Sequence, residues 1–263
     1  MPPTLLYLLK LSISLSVIWI FYQLLLRRLT FYKLNRWYLL LYSIGCFVIP
    51  LINIDSVLEN ESGQTPLIIH FIPAVQQYAA SPAAITVSSP SSANWDAWSL
   101  LWYTILFGSF LLLVRLLVSC LSLVRIRKTA VAGEYEGIKV CQVDKHILPF
   151  SFGNAIYINP RLHSEKEWKE IVQHEEVHIR QKHTIDILLA EFMTILNWYN
   201  PFIWLIRHSI RQNLEFIADD EVLKKGLDRK SYQYHLLKVV GKLSLSTRRG
   251  SEESIRLIHP WRA

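Results

Sequence analysis

The chain has 263 residues, 51% of them hydrophobic, and a net charge of +7, enough for one domain plus additional segments. Three widely spaced cysteines, Cys46, Cys120 and Cys141, with no Cys-x-x-Cys pair, argue against a disulfide framework and read as small apolar side chains. A positive balance suggests nucleic acid only when the basic residues have no other role, and their positions here give them one.

Three stretches reach the roughly 20 apolar residues that a bilayer crossing needs. The first, 4–26, carries Lys10 as its only charge; the second, 37–54, is uncharged; the third, 98–124, stays uncharged until Arg115. Long stems that snorkel or face neighbouring helices account for Lys10 and Arg115 better than an ion pathway does. The first stretch lacks a basic lead, is too long for a signal-peptide core and runs into Arg27-Arg28, so it reads as a retained anchor. The loop 27–36 carries Arg27, Arg28, Lys33 and Arg36, the loop 55–94 has no Lys or Arg, and Arg125, Arg127 and Lys128 follow the third stretch. By the positive-inside rule the N-terminus and 55–94 are outside, and 27–36 and everything after 124 face the cytoplasm. The basic residues thus become topology signals, and direct binding of nucleic acid loses its support. The segment "AASPAAITVSSPSSAN", 79–94, has the composition of a flexible spacer.

The cytoplasmic part opens with two alternating runs, "GIKVCQV" (137–143) and "AIYINP" (155–160), separated by "PFSFGN". They predict a small sheet, either a plain hairpin packed on helices or an edge strand that holds an extended substrate. Ser164 followed by Glu167 is a capping box that starts a helix near 165. That helix contains "HEEVH", 174–178. At spacing i, i+4, His174 and His178 project from one face and can share a metal ion. Glu175, one position round, is placed to take a proton from an attacking water and pass it to the leaving amine.

A catalytic zinc takes three protein ligands and one open position. His183 is out of register for the third. Glu215, in "NLEFIADDEVL", opens a helical stretch with Asp219 one turn further along. Glu215 is the candidate third ligand, against the plain reading of a solvated carboxylate. Asp219 is the candidate partner for the second nitrogen of a ligand histidine. The apolar segment 187–206 invites a fourth crossing, which would separate Glu215 from the histidines by a membrane. Asn200-Pro201 is instead a turn signal between two helices of a hairpin, packed on the protein or dipping into the inner leaflet.

Three N-terminal membrane segments, a basic first loop, "PFSFG", "IYINP", "HEEVH", "NWYNPFIW" and "LEFIADDEV" together resemble the BlaR/MecR-type integral-membrane zinc metallopeptidases, over roughly residues 1–245. The resemblance implies Zn2+ held by His174, His178 and Glu215, with Glu175 as the catalytic glutamate of a gluzincin-like endopeptidase. It also implies a multi-pass protein of the bacterial cytoplasmic membrane that acts in signal transduction. Its protein substrate would be a transcriptional repressor or the chain itself, and a homodimer stays open. The beta-lactam sensors of that family carry a penicillin-binding domain with a Ser-x-x-Lys motif, and no Ser-x-x-Lys occurs here. The expected fold is a mostly α membrane protein. Two transmembrane helices occupy 1–54, a spacer 55–94 and a third helix 95–124. A cytoplasmic α+β peptidase domain follows at 125–245, with an irregular tail at 246–263. Two competing readings are an HtpX-like quality-control protease and a non-catalytic truncated transducer.

Overall fold

The computed structural model describes residues 3–51, 97–144 and 147–225. The expected spacer 55–94, the end of the expected peptidase domain and the tail 246–263 lie outside the described residues.

Helix α1 (Pro3–Phe21) continues through a π-turn, Tyr22–Leu26. Its buried positions Leu11, Leu15, Ile18 and Tyr22 recur every three or four residues. The opposite face is no more polar: Leu9, Ile13, Val17 and Ile20 are exposed. A helix in water would carry charge there, whereas an apolar outer face suits lipid. Helix α2 (Tyr32–Val48) ends in a 3-10 turn, Ile49–Leu51, and α3 spans Ala97–Thr129. All three are long and apolar enough to cross a membrane. Helix α2 starts five residues before the expected stretch 37–54, so Lys33 and Arg36 are helical rather than part of a loop. Their partners account for this, since Lys33 pairs with Glu221 at 2.9 Å and Arg36 with Asp186 at 2.7 Å. Lys10 is exposed on α1, whereas Arg115 lines a cavity with Glu191, Thr194 and Arg207, facing neighbouring helices.

Four strands follow: β1 (Val131–Tyr135), β2 (Ile138–Gln142), β3 (Phe150–Phe152) and β4 (Ala155–Ile158). Their order in the sheet is β1-β2-β4-β3. A plain hairpin of the two runs, one of the two expectations, does not form: they pair in parallel, with Val140 opposite Ile156, and each is antiparallel to its own short neighbour. The linker between them contains β3, so β4 reverses against β3 through Gly153 at φ 61 before it reaches β2. Cys141, Val143, Phe150 and Tyr157 pack under Leu123 and Ile126 of α3, fixing the sheet to the end of a membrane-length helix.

Helix α4 (Glu165–Arg180) opens with both hydrogen bonds of the Ser164–Glu167 capping box. Lys182, left-handed at φ 56, turns the chain into α5 (His183–Leu196). Asn200 then accepts from Phe202 N and Pro201 occupies the first position of α6 (Pro201–Lys224). Helices α5 and α6 form the expected hairpin. Its tip docks on α3: Trp198 Nε1 donates to Ile105 O at 3.0 Å and Ser109 Oγ to Ile195 O at 2.9 Å. Glycine is required at 108, because a Cβ there would lie 2.2 Å from the Trp198 ring. Ile203, Ile206, Ile210, Leu214 and Ile217 of α6 share one core with Leu15 of α1 and Leu39 of α2. Glu215 therefore does not open a new helical stretch but lies deep within a single 24-residue helix.

Candidate metal centre

Helices α4 and α6 meet through Val177, Ala218 and Val222, and this contact sets the ligand candidates facing one another. His174 Nε2 and His178 Nε2 lie 3.2 Å apart. Glu215 Oε2 is 3.4 Å from the first and 3.9 Å from the second. One ligand atom from each residue falls within 4.8 Å of the other two. Tetrahedral zinc with bonds of about 2.0–2.1 Å requires ligand atoms about 3.3 Å from one another. The spacing and the two-nitrogen, one-oxygen donor set both fit that ion.

The other imidazole nitrogens point away from the cluster and are engaged. His174 Nδ1 lies 3.3 Å from Asp219 Oδ1, the carboxylate considered for such a contact in the sequence. His178 Nδ1 lies 2.8 Å from His183 Nδ1. A metal on Nε2 leaves each ligand histidine protonated on Nδ1, so His174 donates to Asp219 and His178 to His183. His183 is thus turned to the back of a ligand rather than into the cluster, in keeping with its register.

Glu175 is buried in the same turn and accepts a hydrogen bond from Ser151 Oγ of β3 at 2.8 Å. Strand β3 is an edge of the sheet. Gly153 N, just after it, donates to Thr184 Oγ1 of α5 at 3.2 Å, holding the strand against the helical layer.

The electrostatics separate His174 from His183. Burial alone would depress His174, but hydrogen bonds to Asp219 and Glu215, with the charges of Glu175 and Glu215, outweigh it and push its pKa up to about 10. Burial takes His183 down to about 3, and His178 and Arg36 act in the same direction, so it is neutral at physiological pH. Burial raises Asp186, against the hydrogen bond and charge of Arg36.

Sequence reasoning missed Ser151, His183 as an orienting group, and Arg36 as anything beyond a topology signal. "PFSFG" carried a trace of Ser151, and a third histidine five residues after His178 was visible. No local pattern could link Arg36 to Gln181 and Asp186, 145 and 150 positions away.

Residues 4–254 match the family model described as BlaR1 peptidase M56. The methicillin resistance mecR1 proteins of Staphylococcus aureus, including strain Mu50, and of Staphylococcus epidermidis are each 24% identical over 192 residues. The match covers 65% of this chain and 32% of theirs, so the chain spans about a third of the length of these relatives. With the family match running through the membrane-length helices, the sheet and the histidine helix alike, the chain belongs to the BlaR1 peptidase M56 family.

Proposed function

We propose that this protein is a zinc endopeptidase of a signal-transducing membrane system, cutting a regulatory protein or itself at the cytoplasmic face of the membrane. The observation that carries the reading is the convergence of His174 Nε2, His178 Nε2 and the Glu215 carboxylate while both Nδ1 atoms are already engaged. An ion held there would supply Lewis acidity to a peptide carbonyl and to the attacking water. Glu175, anchored by Ser151, takes the proton of that water and returns it to the leaving amine. Strand β3, an edge of the sheet among the described residues, lies next to Glu175 through Ser151 and is suitably placed to line an extended substrate.

Similarity to methicillin resistance mecR1 proteins supports a dedicated role in a resistance response over broad quality control, while the repressor-like substrate rests on the family resemblance. The Ser151–Glu175 bond supports an enzyme over a non-catalytic transducer. The basic residues at 27–36 and 125–128 support the orientation proposed, with 55–94 outside and the peptidase domain 125–245 on the inside apart from its α5–α6 hairpin, which packs along α1–α3 within the bilayer.

The full chain in detergent, as wild type and Glu175→Gln, tests this. Each should hold one zinc, and self-cleavage or peptide cleavage should fall by at least about 100-fold in the variant. Equal cutting by both would remove Glu175 from the chemistry, and absence of zinc from the wild type would overturn the metal reading.

A further inference from the structure

Arg36 is at odds with its neighbours. Arg27 and Arg28 are exposed, as topology signals should be. The Arg36 side chain is only 15% exposed, and its partner Asp186 only 9%. Burying a guanidinium costs solvation that a surface position would not, so its close contacts must offset that cost.

Those contacts straddle the corner behind the metal-site histidines. Nε lies 2.7 Å from Asp186 Oδ2 on α5. Nη2 donates to Gln181 O at 2.8 Å, and Nη1 to Gln181 Oε1 at 3.4 Å, at the end of α4. Between these two anchors sit left-handed Lys182 and His183, whose Nδ1 reaches His178 Nδ1. One planar fork therefore fixes the α4–α5 corner from both sides, a task that suits arginine and exceeds a lysine's single ammonium.

The same end of α2 also grips α6. Asn213 Nδ2 donates to Tyr32 O at 2.9 Å, the Tyr32 and Phe216 rings lie 5.6 Å apart, and Lys33 pairs with Glu221. Asn213 and Phe216 flank Glu215. The start of α2 thus holds both helices that bear the ligand candidates, one behind His178 and one around Glu215.

We propose that the N-terminal end of α2 is a bracket that sets the separation between the histidine pair and Glu215, with Arg36 as its principal positioning residue. The inference rests on the zinc reading above and deepens it. Helix α2 has membrane-crossing length, and its far end leads into residues 52–96, which join it to α3. A shift of α2 along or about its axis pulls on both grips together, so movement in the membrane changes the fit of the metal site. Packed helices pass on shifts of 1–2 Å in this way, enough to spoil contacts of 3.4 and 3.9 Å between nitrogen and carboxylate.

The test compares the full-length wild type with Arg36→Gln and Arg36→Lys in detergent. Zinc affinity is measured by competition with a chromophoric chelator, the visible spectrum with cobalt in place of zinc, and folding by thermal melting. Arg36→Gln should lower zinc affinity by about ten-fold or more and shift the cobalt bands, since the support behind His178 is loosened. Arg36→Lys should melt close to wild type yet lose affinity severalfold, which keeps the test decisive should Arg36→Gln not fold. Wild-type affinity and cobalt spectrum in Arg36→Lys would overturn the bracket, as would a lowered melting temperature with both metal readouts unchanged. A wild type that binds no zinc would instead overturn the metal site itself and the bracket with it.

Discussion

At the scale of single residues, the metal centre separates the donors from the groups that aim them. His174 and His178 present Nε2 to one point because Asp219 and His183 occupy their Nδ1 atoms. The raised pKa of His174 has a consequence for metal uptake. Without metal, this imidazole is protonated at neutral pH and paired with Asp219 and Glu215. Its folded-state pKa of about 10 lies above the ordinary 6.5, so the stability from this pairing is fully present below 6.5 and is lost as pH rises through 10. Zinc needs the neutral ring, so binding releases that proton and tightens with pH over the same interval. We therefore expect the melting temperatures of chelator-stripped and zinc-loaded protein to diverge as pH is raised from 6.5 toward 10. A gap that stays constant would show that His174 does not change its proton on binding.

At the scale of elements, the α5–α6 hairpin decides whether the two halves of the metal centre meet. Its apolar sequence has the length of a crossing, but Asn200 and Pro201 start a new helix and α6 comes back to α4. The hairpin also encloses charge: Glu191 of α5 receives Arg207 Nε at 2.6 Å and also pairs with Arg211. All three side chains are at most 15% exposed. Removing the acid leaves two guanidiniums facing each other in a buried space. Glu191→Gln should therefore destabilise the protein by roughly 3 kcal/mol or more. Thermal melting in detergent would read this directly, and an unchanged melting temperature would mean that the cluster is hydrated in solution. The helix starts were legible in the sequence because caps are local: Ser164 with Glu167, and Asn200 with Pro201, act within three residues. The parallel pairing of β2 with β4 was not, since β3 is only three residues long and β1, "VAGEY", has little apolar alternation.

At the scale of the whole molecule, three membrane-length helices are packed into the fold that carries the candidate metal centre instead of merely anchoring it. Helices α1 and α2 share a core with α6, and α3 is pinned to the hairpin tip and to the sheet. The proposed orientation has a direct check. Cysteines placed singly by Arg28→Cys and Ser88→Cys, in a background free of the native three, should differ in reactivity toward a membrane-impermeant maleimide on intact cells. The second should label and the first only after lysis. The reverse pattern would turn the molecule over and move the proposed substrate to the other side.

Short-range physics is legible in the chain before it folds. Three runs of apolar residues have crossing length, an i, i+4 histidine pair lies on one helix face, and the helix caps mark where α4 and α6 start. The sequence could also nominate Glu215 and Asp219, because they lie one turn apart, but not the distances between them and the histidines. Packing brings His174, His178 and Glu215 together, sets His183 behind a ligand candidate, and draws Arg36 from the surface to brace the corner next to it. Each of these depends on the packing of α2, α4, α5 and α6. Contacts between residues 37 to 150 positions apart are settled by how apolar faces fit together, which no local spacing encodes.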